Sequence, residues 1–171
     1  MDLPAFLAAS AGQWFAQRTL FFLAEGRLEN YKSTLNTDWL PPTDPTLIAQ
    51  CQQLGLNPDH LLGGWRSQWD TAGDWGAPKQ TGSKQIALIA DADRPTTGIL
   101  LQAPHPSQLL QGRYAFGLDE SLTLTLSDGA IAAEERLWFA SENLRLRTST
   151  VQYGGKLTTT AFYSEIRRVN V

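Results

Sequence analysis

After about residue 62 the chain is a succession of short runs in which apolar and polar residues alternate, and nearly every gap carries turn chemistry. The runs fall at about 62–70, 82–91, 97–103, 112–118, 121–128, 130–140, 143–153 and 156–168. The gaps hold Thr81-Gly82, Arg94-Pro95, Pro104 to Pro106, Asp119-Glu120, Ser127-Asp128-Gly129 and Gly154-Gly155. Glycine and proline there set the backbone angles a turn needs, and aspartate and serine bond their own backbone. Upstream, 13–24 and 28–40 are two longer strand-like runs joined at Glu25-Gly26-Arg27, a hairpin signal. About ten antiparallel strands at meander spacing predict an all-β protein, either an up-and-down barrel or a sandwich. Closure into a barrel also disposes of the edge strands.

Two segments break the strand pattern. Asp2 can cap a short helix that carries Pro4 in its first turn and ends near Gly12. Thr43 or Asp44 can cap a second, with Pro45 in its first turn and Gly55 as its stop. Leu47, Ile48, Cys51 and Leu54 fall on one face of that helix and are expected to lie against the body of the protein. The 171 residues suffice for one domain with a sizeable core. With no repeat or linker in view, residues 1–171 are expected to form a single domain.

A formal net charge of −3 argues against nucleic acid as the main partner. Cys51, the one cysteine, cannot form an internal disulfide, and this fits a reducing, cytoplasmic setting. It falls on the apolar face of its helix and reads as a small buried hydrophobe. The first residues lack a basic leader and a long apolar run, so neither a signal peptide nor a membrane span is expected. His60 and His105 have no metal-ligand spacing, and there is no phosphate loop or nucleophile elbow.

A barrel of eight to ten strands leaves room for one small ligand. In the run EERLWFASENLRLRTST, Arg145, Arg147 and Ser149 share one face of a strand and Leu144, Leu146 and Thr148 the other. Alternation leaves both orientations open. With the arginines outward this is an ordinary solvated strand. With them inward, they need a counter-ion or an anionic ligand, since an unpaired buried charge is costly. Arg18 is a third candidate, because a guanidinium offers a carboxylate a planar fork. Trp65 and Trp69 share parity, and Trp75 follows in a glycine-flanked stretch. Three tryptophans so close together favour a wall that stacks on a flat ligand. Glu135 and Glu165 could accept hydrogen bonds from ring N–H groups or, with raised pKa, donate a proton; each is also readable as a surface acid.

Several blocks carry a family resemblance: SAGQWFAQRT (10–19), GGWRSQWD (63–70), TGS (81–83), EERLWFASENLRLRTS (134–149) and FYSEIRR (162–168). Together they resemble the S-type phycobiliprotein lyases, the CpcS/CpeS family, over nearly the whole chain. The resemblance implies a lipocalin- or fatty-acid-binding-protein-like antiparallel barrel of about ten strands, with an N-terminal helix and one inserted helix. Trp14, in a Gly-x-Trp such as opens lipocalin-type barrels, is then structural.

The implied activity is that of a bilin lyase. Such a protein binds a free linear tetrapyrrole such as phycocyanobilin and delivers it to a cysteine of an apo-phycobiliprotein subunit. The thioether nucleophile belongs to the client, so the chain needs no cofactor of its own and no reactive cysteine. The resemblance turns Arg145, Arg147 and Ser149 inward. It makes Glu165, Arg147 and Arg145 the catalytic candidates, and Arg18, Trp69, Trp75, Trp138, Arg145, Arg147, Ser149 and Glu135 the bilin contacts. Leu144 and Leu146 then face outward, under the inserted helix or a partner protein. The stretches 71–80 and 104–111 fit the family less clearly. A homodimer, or a heterodimer with a paralogue, is also implied as possible. A bilin or fatty-acid carrier, or the silent subunit of such a heterodimer, are the alternative readings.

Overall fold

The computed structural model describes residues 1–71, 80–105 and 108–168. Ten strands run in chain order: β1 Gly12–Phe22, β2 Arg27–Leu40, β3 Leu61–Thr71, β4 Thr81–Asp91, β5 Arg94–His105, β6 Gln108–Phe116, β7 Leu122–Asp128, β8 Ile131–Ser141, β9 Leu144–Tyr153 and β10 Lys156–Arg167. Each pairs antiparallel with its neighbours in sequence. Pairing of β1 with β10, from Trp14 opposite Arg167 to Phe22 opposite Thr159, closes the barrel. The ladder therefore has no free edge.

Two breaks expected from turn chemistry lie inside strands. Thr81 and Gly82 pair with Asp70 and Trp69, and Arg94 pairs with Asp91. Pro104 also lies in a strand, since β5 continues to His105, while Pro106 lies outside the described residues.

Helix α1, Leu3–Ala9, starts where Ala5 N–H donates to the Asp2 carboxylate at 2.9 Å. It plugs the barrel end at which β1 begins. Phe6 and Leu7 are fully buried in a core with Trp65, Ile86, Leu88, Leu100, Leu122 and Leu137. Phe6 meets Phe116 and Phe139 edge-on, at centroid distances of 5.5 and 5.1 Å. The last carbonyls of α1 have no partners within the helix. Arg167 satisfies one of them, donating to Ala9 O at 2.6 Å, and also donates to Ala11 O, just past the helix, at 2.7 Å. Trp14 is fully buried beside this plug and donates its indole N–H to Ser10 O at 3.1 Å, a structural role.

Helix α2, Pro45–Gln53, is capped by Asp44, which accepts from Thr46 N–H and Leu47 N–H. It lies on the outside of the barrel, where Leu47 and Cys51 pack against Leu40, Leu61, Ala87, Ile89 and Leu101. This double cover explains why β4 is apolar on both faces: Ile86 and Leu88 point into the barrel, Ala87 and Ile89 toward α2. Leu54 does not join this face: it is the C-cap residue and is exposed. Nor does α2 cover the leucines of β9; it rests on β2 to β5. Burial pushes the Cys51 thiol pKa up, with a backbone hydrogen bond opposing, so the group is a poor nucleophile. Among the described residues, no helix is long and apolar enough to cross a membrane.

The plug is expected to depend on Phe6. Phe6→Ala should cost about 3–5 kcal/mol, read as a lowered urea midpoint with an unchanged slope.

Candidate functional site

Alternation on β1, β3, β8, β9 and β10 turns one set of side chains into the barrel above the plug. They line a cavity of about 250 Å³. Its wall holds Ala16 and Arg18 from β1, Tyr31, Ser33 and Leu35 from β2, and Trp65, Ser67, Trp69 and Thr71 from β3. It continues with Gln80, Lys84 of β4, Glu135 and Leu137 of β8, Arg145 and Arg147 of β9, and Tyr163 of β10. The cavity reaches the barrel's other end at Thr71 and Gln80. The tryptophans of β3 and the arginines of β9 lie four strands apart round the barrel and so face each other across it.

The arginines of β9 thus point inward, as the resemblance implied. Their register explains what holds them there. Glu165 of β10 sits opposite Arg145, and Tyr163 opposite Arg147. Arg145 Nε donates to Glu165 at 2.6 Å, and Arg147 Nη2 stands 3.0 Å from the other carboxylate oxygen. Glu165 is fully buried and lies behind the cavity lining. Burial alone would raise its pKa, but Arg147 and Arg145 hold it below the usual carboxylate range. A wholly enclosed carboxylate gripped by two guanidiniums is placed to hold the arginines in position. Arg145 also stands over the Trp14 ring at 4.8 Å, so the same group links cavity and plug.

Glu135 is the carboxylate that does line the cavity. Lys84 reaches across the barrel interior from β4 to meet it at 2.9 Å, and Arg147 stands 3.8 Å away. Burial would raise its pKa, yet Lys84 and Arg147 outweigh this and hold it at about 2. It is ionised at neutral pH and can accept hydrogen bonds. Glu165 and Glu135 likewise outweigh burial at Arg147 and push its pKa up.

Trp69 lies flat against β4. A Cβ on Gly82, its cross-strand partner, would stand 2.3 Å from a Trp69 ring carbon, so a glycine at this place gives the indole its seat. Two expected contacts do not reach the cavity wall. Trp138 has the parity opposite to Glu135 and Leu137, so it projects from the outer surface, paired with Leu146. Ser149 keeps the inward parity, opposite Glu135 and Ala161, but lies outside the lining. Trp75 lies outside the described residues.

Sequence reasoning did not find Tyr31, Tyr163 and Lys84. Tyr31 and Tyr163 flank Arg18 on neighbouring strands, a register that becomes readable only once strand pairing is known. Lys84 follows Gly82 at the same parity as Trp69's partner, which was the available signal.

A closed antiparallel barrel with a helical plug at one end and a charged, aromatic cavity open toward the other defines a ligand-holding barrel. The chain belongs to the CpeS-like protein family, whose pattern matches residues 2–168. It is similar to the chromophore lyase CpcS/CpeS of Thermosynechococcus vestitus, 41% identical over 169 residues, covering 98% of this chain and 93% of that one. The phycocyanobilin lyase subunit CpcS of a Picosynechococcus species is 34% identical over 170 residues, covering 97% and 86%. The structure of the S-type phycobiliprotein lyase CPES from Guillardia theta matches with a TM-score of 0.84 at 25% identity, over 100% of this chain and 95% of that one.

Glu165→Gln is expected to leave Arg145 buried and uncompensated. The loss should be about 3–5 kcal/mol by urea denaturation, and the double replacement Arg145→Met with Glu165→Leu should recover much of it. Both carboxylates have folded pKa values below their unfolded ones, so their stabilisation is present above the unfolded value and lost as pH falls through the folded one. Stability should therefore drop from about pH 4.5 toward about 2, and Glu135→Gln should flatten that drop in a pH series of denaturation curves.

Proposed function

We propose that this chain is a phycobiliprotein chromophore lyase. It binds a linear tetrapyrrole, a bilin such as phycocyanobilin, in the barrel cavity and delivers it to a cysteine of an apo-phycobiliprotein subunit. The observation that carries the reading is the cavity itself: an indole wall on β3 facing a guanidinium wall on β9 and β1, in a member of the CpeS-like family. A bilin is a flat conjugated chain with two propionates and a row of ring nitrogens. Trp69 offers a face for the rings, with the buried Trp65 beneath it toward the plug. Arg18 and Arg147 offer charge-assisted bonds to the propionates, and Glu135 offers an acceptor to pyrrole N–H groups. Arg145 is held by Glu165 and contributes positive potential at the cavity base.

The reaction is an addition. The client thiol's sulfur bonds to the exocyclic ethylidene carbon of ring A, the adjoining ring carbon takes up a proton, and nothing leaves. The chain supplies no nucleophile, in keeping with its single, buried thiol. Its contribution is to hold one bilin conformer and present one face of ring A. The whole chain, 1–171, acts as one unit in this reading, in the cytoplasm. A second copy or a paralogue has an apolar outer face to rest on, where Phe162 and Ile166 of β10 are exposed.

Mixing the purified protein with phycocyanobilin and an apo-subunit, with and without a paralogous partner, tests this. Expected are a red-absorbing complex and then bilin fluorescence on the client band of a denaturing gel. Arg18→Leu should weaken bilin binding by about 1.5–3 kcal/mol in an absorbance titration. Absence of covalent transfer in both mixtures, where an established lyase succeeds, would overturn the proposal.

A further inference from the structure

One rung of the barrel carries an alternation of aromatic and cationic side chains. Tyr31 of β2, Arg18 of β1, Tyr163 of β10 and Arg147 of β9 are successive cross-strand partners on the inner face. The guanidinium of Arg147 lies 3.8 Å from the Tyr163 ring centroid. That of Arg18 lies 4.3 Å from the Tyr31 centroid and 6.0 Å from the Tyr163 centroid. Tyr163 thus stands between two like charges and faces both with a ring that attracts cations. It separates them at a spacing of two strand intervals, on the order of 10 Å at the backbone.

The rest of the cavity's charge is already matched. Glu165 serves Arg145 and Arg147, and Glu135 serves Lys84 and, more distantly, Arg147. Near the open end, Glu29 accepts from Tyr31 and pairs with Arg27. Four cationic side chains therefore share two carboxylates on the inner wall. The surplus sits on the Tyr163 rung: Arg18 has no carboxylate partner among the described residues, and the Nε atoms of both Arg18 and Arg147 are buried with no hydrogen-bond acceptor.

We infer that Tyr163 is a positioning residue. It fixes the gap between Arg18 and Arg147 so that the pair takes the two carboxylates of one ligand, one on each guanidinium, and so selects dicarboxylates. The role is assigned to the ring, which both guanidiniums approach. This rests on the bilin reading of the cavity.

The test uses the full chain and compares phycocyanobilin with its monomethyl and dimethyl esters by absorbance titration. The parent should bind the diacid at least about tenfold more tightly than either monoester, and the dimethyl ester more weakly still. Tyr163→Phe should keep this order. Tyr163→Leu should lose about tenfold or more in affinity for the diacid while its dimethyl-ester affinity stays within about twofold of the parent's. If Tyr163→Leu does not fold, Tyr163→Trp, which keeps a ring but widens the gap, should show the same selective loss. Equal losses for diacid and ester in the variant that folds, or no loss, overturn the inference, as does a parent that binds the esters as well as the diacid. Those outcomes leave the bilin-lyase reading standing. A parent that binds neither diacid nor ester overturns both.

Discussion

A carboxylate with no exposure, gripped by two guanidiniums from the neighbouring strand, is the interaction on which the rest of this structure depends. Two buried charges and a half-buried third inside a small barrel are tolerable only if their partners are held at bonding distance. Glu165 meets that condition because β9 and β10 pair in a register that sets Glu165 opposite Arg145 and Tyr163 opposite Arg147. The triad then fixes things on both sides. Below it, Arg145 stands over Trp14, whose indole is tied to the end of the plugging helix. Above it, Arg147 is turned toward Glu135, Tyr163 and the cavity.

The barrel is divided accordingly. Its plugged end is an apolar core in which Phe6, Leu7 and the inner residues of β4 to β8 pack as in any globular interior. Its other part is polar: ion pairs run across it, as Lys84 does to Glu135, and each restrains the side chains it joins. A site for a flexible, conjugated dianion gains from such rigidity. A linear tetrapyrrole has many conformers, and addition at one carbon of ring A with one stereochemistry requires that most of them be excluded. In the proposed reading, fixed guanidiniums, a seated indole and an ionised Glu135 would do this.

Much of this was legible in the sequence. Strand number, both helix caps and the shared faces of Arg145 with Arg147 and of Trp65 with Trp69 follow from period-two alternation and turn chemistry. Where the reading failed, the reasons are local. Gly82 looked like a turn because glycine usually marks one, whereas here it makes room for an indole on the next strand. Leu54 fits the helical apolar period but falls at the C-cap, where the chain turns away. Trp138 was drawn toward the ligand by its chemistry, against the parity of its own strand, which places it outside with Leu146.

The amino-acid sequence by itself determined that the chain would form about ten antiparallel strands and which side chains would share a face, because the pleat has a period of two. It also carried the family, in blocks too long to arise from pattern alone. It could not determine which face looks inward, because alternation is symmetric between the two, nor which residues meet across strands, because register is a property of pairs. Closure of β1 onto β10 decided both. It put the arginines inside, placed Glu165 behind them as their counter-ion, and brought Tyr31, Arg18, Tyr163 and Arg147, four residues scattered along the chain, onto a single rung.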